Sequence, residues 1–181
     1  HGISTSGAGA ITSGCVAANF AGADGNAFGI YLNASPASSV LNIAAQNGNV
    51  SLTGTASGGI IGFNSLGVDS IFGVNVSTTS GDISVLGFGA AASTGNGNTG
   101  IELVGNSPLT PHLLSTSGDI SLTGYGGAGA ASRGVLFFGP TLFQTAGDIS
   151  IRGETTASGN KGIEAYLIGS APLVISYGGA I

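Results

Sequence analysis

"GDISLTG" at residues 118–124 decides the reading of this chain, because close copies of it occur three more times. "GNVSLTG" (48–54), "GDISVLG" (81–87) and "GDISIRG" (147–153) align with it without gaps. The shared pattern is Gly, Asp or Asn, Ile or Val, Ser, an aliphatic residue, any residue, Gly. Aliphatic and hydroxyl side chains alternate within each copy, as a β-strand with one dry face requires. Val50/Leu52, Ile83/Val85, Ile120/Leu122 and Ile149/Ile151 point one way, and Ser51, Ser84, Ser121 and Ser150 the other. Weaker copies stand at "GAITSG" (9–14), which lacks the acid, and at "GAI" (179–181).

Two further landmarks follow each copy. The first comprises "GIYL" (29–32), "GIIGF" (59–63), "GIEL" (100–103), "GVLF" (134–137) and "GIEAY" (162–166). The second comprises "VLNI" (40–43), "IFGVNV" (71–76), "LL" (113–114), "LF" (142–143) and "LVI" (173–175). Counted from Gly9, the leading glycine recurs after 39, 33, 37, 29 and 32 residues. Three short strands per period argue for a solenoid in which each period is one coil, stabilised mainly by its neighbours. The expected fold is all-β: a parallel, right-handed β-helix of about five coils, roughly 9–47, 48–80, 81–117, 118–146 and 147–178. Helices are disfavoured, because Gly and β-branched residues recur every few positions. A propeller needs about 40 or more residues and four strands per blade, and collagen needs Gly at every third position. The chain also reads as an excerpt of a longer repetitive protein, since it opens on His1 and stops in mid-repeat.

Composition narrows the function. Of 181 residues 35 are Gly, 42% are hydrophobic and only 6% are charged, against about 25% charged in ordinary soluble domains. Arg133, Arg152 and Lys161 are the only strong bases in a chain of formal charge −5, so no phosphate-binding face can be assembled. No apolar run reaches the ~18 residues of a membrane-spanning helix. Cys15 is single, which excludes a disulfide within the chain and predicts a packed thiol, with an intermolecular bridge as the alternative.

"TSGDISLTG" (116–124) followed by "RGVLF" (133–137) resembles the repeat regions of large secreted bacterial β-helix proteins, the filamentous-haemagglutinin-like exoproteins of two-partner secretion and the related autotransporter passengers. The resemblance covers nearly the whole chain. It implies a right-handed β-helical shaft at the cell surface, used for adhesion, biofilm or filament building.

The candidate sites are weighed against structural roles. Gly48, Gly81, Gly118 and Gly147 are read as the bend of each coil, with Ile83, Ile120 and Ile149 inward and Ser84, Ser121 and Ser150 outward. Asp82, Asp119 and Asp148, with Asn49 in the same slot, would stack about one strand spacing apart. The preferred role is a side-chain bond to nearby backbone N–H groups in the turn; a Ca²⁺ column is the alternative. "GNGNTG" (95–100) and "GYGGAG" (124–129) match the dinucleotide-binding glycine pattern but lack its strand–turn–helix context, so no cofactor is expected.

A polysaccharide-cleaving β-helix would need clustered acids. Glu102 and Glu164 follow equivalent Gly-Ile landmarks, but Ile61 and Leu136 fill that place elsewhere and Leu136 comes between them. Arg152 and Glu154 are expected to pair, and His1 and His112 lie far apart, the latter at a turn. The outward column Thr53, Leu86, Thr123, Arg152 breaks the regular Thr array of an ice-binding face. Asn33, Asn49 and Asn75 open N-glycosylation acceptor patterns that a Ser- and Asn-rich chain produces freely. The expectation is therefore a structural shaft without catalysis, cofactor, nucleic-acid partner or membrane insertion. It associates with itself end to end or laterally through open coil edges. The alternative is a module binding a surface glycan through the variable loops 88–99 and 125–133, with Phe88 and Tyr125 as stacking faces.

Overall fold

A computed structural model describes residues 2–5, 7–16, 27–33, 40–57, 65–71, 73–105, 109–156, 158–166 and 173–176. In chain order the strands are β1 (Gly2–Thr5), β2 (Ile11–Val16), β3 (Phe28–Asn33) and β4 (Leu41–Ala45). Then come β5 (Val50–Thr55), β6 (Leu66–Ile71), β7 (Val74–Thr78), β8 (Ile83–Phe88), β9 (Ile101–Val104) and β10 (His112–Ser115). The series ends with β11 (Ile120–Gly126), β12 (Arg133–Phe138), β13 (Leu142–Thr145), β14 (Ile149–Thr155), β15 (Lys161–Tyr166) and β16 (Leu173–Ser176). Among the described residues there is no helix.

Every third strand joins the same sheet. The first sheet runs β1-β4-β7-β10-β13-β16, the second β2-β5-β8-β11-β14 and the third β3-β6-β9-β12-β15. All pairings are parallel, which defines a β-solenoid. The expected set of about five equivalent coils becomes three turns paired on both sides, β5–β7, β8–β10 and β11–β13. Beyond them β4 is also paired on both sides, and β1, β2, β3, β14, β15 and β16 are each paired on one side only among the described residues.

The interior is built from aliphatic columns. Ile11, Val50, Ile83, Ile120 and Ile149 occupy one register position of the second sheet, and all are buried. Ile30, Val68, Ile101 and Val135 face them from the third sheet, and Ile43, Val76, Leu113 and Phe143 from the first. Phe143 meets Phe137 edge-on, with ring centroids 5.8 Å apart and planes at 85°. The outward Ser51, Ser84 and Ser121 are half-buried and Ser150 is exposed.

Both glycines of the heptapeptide are there for contact between backbones. The leading Gly81 and Gly118 are not among the positive-φ glycines, so the expected bend is not what demands them. A Cβ on Gly81 would stand 2.1 Å from the Gly48 carbonyl oxygen, and one on Gly118 2.1 Å from that of Gly81. Glycine here lets one turn lie against the next. The trailing Gly54, Gly87, Gly124 and Gly153 form a column in the second sheet. A Cβ on Gly124 would fall 2.0 Å from the carbonyl oxygen of Gly134, the glycine that opens the third-sheet landmark. The two motifs thus meet, and the solenoid is pinched there.

Candidate functional site

The repeated Asp is a link between turns. The Asp82 N–H donates to Asn49 Oδ1 at 2.8 Å, the Asp119 N–H to Asp82 Oδ1 at 2.9 Å, and the Asp148 N–H to Asp119 Oδ1 at 2.8 Å. The acceptor serves the equivalent residue one turn later, where a bond within its own turn was expected. This explains why Asn49 can fill the slot: an amide oxygen accepts the same bond without charge. No group of three or more His, Cys, Asp or Glu side chains among the described residues is placed to hold a metal ion.

A hydroxyl works beside it. Ser115 Oγ donates to the Gly81 carbonyl at 3.0 Å and accepts the Gly118 N–H at 2.9 Å. Thr78 Oγ1 does the same between Gly48 O and the Gly81 N–H, at 3.1 Å each. Thr145 repeats this with Gly118 O and the Gly147 N–H, although its corner is one residue shorter. Thr78, Ser115 and Thr145 are buried, so each hydroxyl satisfies two backbone groups cut off from water.

The expected ligand-loop aromatics lie on strands. Phe88 ends β8 and Tyr125 sits in β11, in register and stacked on each other, centroids 5.0 Å apart and planes within 6°. They border a shallow groove with Thr55, Ala91 and Thr156. The loop after β8 is pinned by fully buried Asn98, whose Nδ2 donates to the carbonyls of Ser93, Gly95 and Ala128. His112 opens β10 instead of standing in a turn, and burial lowers its pKa. Ile61, His1 and the Cys15 side chain lie outside the described residues.

The third sheet carries the densest chemistry. Residues 59–63 were the expected landmark of the second coil, but the strand that pairs there is β6, so "GVDS" (67–70) is the true counterpart. This places Tyr31, Asp69, Glu102, Leu136 and Glu164 in one register column across five strands. Leu136 separates Glu102 from Glu164, while Asp69 and Glu102 are neighbours, roughly 4.8 Å apart along the stack. Both acids line a groove of about 520 Å³ with Phe28, Tyr31, Thr99, Arg133, Phe138 and Tyr166.

The two ends of the column differ electrically. Asp69 is 2% exposed, and its Oδ1 has no hydrogen-bond partner among the described residues. Burial, reinforced by the negative charge of Glu102, pushes its carboxyl up to about 8. Burial also raises Glu102, partly offset by Arg133. Glu164 goes the other way: burial alone would raise it, but hydrogen bonds from Lys161 and Arg133 outweigh that and hold it low. Arg133 Nε reaches Glu164 Oε2 at 2.5 Å, and its guanidinium also bonds the Tyr166 hydroxyl at 3.0 Å. Arg152 pairs with Glu154 as expected. No protein-family model, curated protein or solved structure matches the chain.

Proposed function

We propose that the chain is a stretch of a right-handed β-solenoid shaft, part of a secreted bacterial adhesin or extracellular filament, which works mechanically and without catalysis. The carrying observation is that from β5 to β14 successive turns are tied three times over: by three backbone ladders, by a buried corner hydroxyl and by a carboxylate or amide at the turn. Such a rod resists bending because backbone groups at its corners are committed to neighbouring turns, as Ser117 N–H is to the Thr79 carbonyl and Gly81 O to the Ser115 hydroxyl. The right hand follows from the twist preference of parallel crossovers. The resemblance of the heptapeptides to secreted β-helix shafts supports a place at the cell surface. Low charge supports packing between rods, since little repulsion opposes it. Among the described residues β14 and β15 are paired on one side only, and such strands offer edges to a further turn or a second copy. Electron microscopy and sedimentation of the 181-residue chain test this. Rods that lengthen or bundle with concentration are expected, and a strictly monomeric, non-associating particle would overturn the proposal.

A further inference from the structure

Cations are the scarcest resource in this molecule, and all three strong bases are already engaged. Arg133 and Lys161 both bind Glu164, and Arg152 binds Glu154. Asp69 and Glu102 are left side by side on the floor of the third-sheet groove, with no hydrogen bond from a base among the described residues. Arg133 reaches Glu102 only through its field. Asp69 Oδ1 is buried and has no partner among the described residues, which is costly for a polar atom and marks a place where a donor is missing. Phe28 and Tyr31, centroids 4.8 Å apart, form the adjoining wall, with Tyr31 directly in register with Asp69.

We propose that this groove binds an alkylammonium group, as carried by a diamine or an amino sugar, with Asp69 and Glu102 as its acceptors and the Phe28 and Tyr31 rings as its wall. An ammonium offers three N–H donors, enough for both carboxyls, and its charge is attracted to the ring faces. A hard divalent ion fits less well: Ca²⁺ takes about six to eight oxygen ligands, and this floor offers two carboxyls beside aromatic rings. A neutral sugar would leave the acid pair uncompensated. The groove volume, about 520 Å³, suits a small organic ligand. The other titratable or charged groups on this face are Tyr31 on β3, Arg133 on β12, and Lys161, Glu164 and Tyr166 on β15. This inference stands apart from the mechanical role and does not require the rod to assemble.

Calorimetric titration of the 181-residue chain with putrescine, glucosamine and glucosamine trimer tests it, with choline and CaCl₂ as comparators. The amines are expected to bind saturably, more tightly than choline, and to release a proton below about pH 8 as Asp69 ionises onto them. Asp69→Asn and Glu102→Gln should each weaken binding about tenfold or more, as loss of a charged hydrogen bond does, whereas Asp119→Asn should leave it unchanged. A trimer that binds more tightly than putrescine identifies an amino-sugar polymer as the source; equal affinities identify free amines. Absence of saturable amine binding, affinity untouched by both groove substitutions, or Ca²⁺ binding that amines fail to displace would each overturn the proposal. Should Asp69→Asn fail to fold, Glu102→Gln at its half-buried position decides alone.

Discussion

Replacing Asp69 with Asn should make the protein more stable at neutral and alkaline pH, although the position is almost wholly buried. The folded-state carboxyl sits at about 8 against an ordinary value of 3.8. A group raised in this way contributes its full stability below the lower value and loses it as pH climbs to the higher one. At about 1.4 kcal/mol per unit, the four-unit interval corresponds to about 6 kcal/mol, lost in full once pH passes the folded-state value of about 8. Glu102, also raised, adds a loss of the same sign; Glu164, held low, contributes stability that disappears only in acid. Urea unfolding followed by far-ultraviolet circular dichroism, from about pH 4.5 to pH 9, measures the difference. The parent's stability should fall toward alkaline pH, and Asp69→Asn should flatten that fall and exceed the parent by several kcal/mol above about pH 8. Parallel pH profiles for variant and parent would refute the reasoning, because the carboxyl would then titrate alike in the folded and unfolded chain.

The corner hydroxyl and the pinched glycine can be tested by the same unfolding measurement. Ser115→Ala strips a buried acceptor and donor from Gly118 N–H and Gly81 O, and should cost about 1–3 kcal/mol, while Ser121→Ala, on the outward face, should stay within about 0.5 kcal/mol. Gly124→Ala would drive a methyl group to 2.0 Å from the Gly134 carbonyl oxygen, so a loss of about 3 kcal/mol is expected, with the second and third sheets forced apart.

The second sheet was legible residue by residue: the gap-free alignment of the heptapeptides is the observed register Val50–Ile83–Ile120–Ile149. Alternation of Ile and Ser marks a half-buried strand, and the fixed length of the motif leaves no freedom of register. The third sheet was legible except at one rung. "GII" at 59–61 imitates the Gly-Ile landmark better than "GVD" at 67–69, because an acid is not expected at a buried position. That single substitution of Ile61 for Asp69 in the column hid the acid pair, since Glu102 then had only aliphatic neighbours. The spacing alone could have raised the alternative: Gly67-Val68-Asp69-Ser70 has the same alternation as Gly100-Ile101-Glu102-Leu103. Replacement of the repeated Asp by Asn49, Ala10 and Ala180 points to a structural role, but the sequence does not reveal its partner. A bond from one turn to the next depends on how turns stack, and no pattern within a single turn encodes it.

Those bonds also give the shaft an arrow. At the turn each later residue brings the donor, as Asp119 N–H does to Asp82 and Asp148 N–H to Asp119, and the earlier side chain accepts. The corner hydroxyls obey the same direction, Ser115 reaching back to Gly81 and Thr78 to Gly48. At these links the earlier turn supplies the side-chain or carbonyl acceptor and the later turn the proton, while the backbone bonds beside them run the other way, as from Ile83 N–H to the Asp119 carbonyl. Each of these links latches backwards, so the two ends of the rod are chemically unlike even where the heptapeptide repeats.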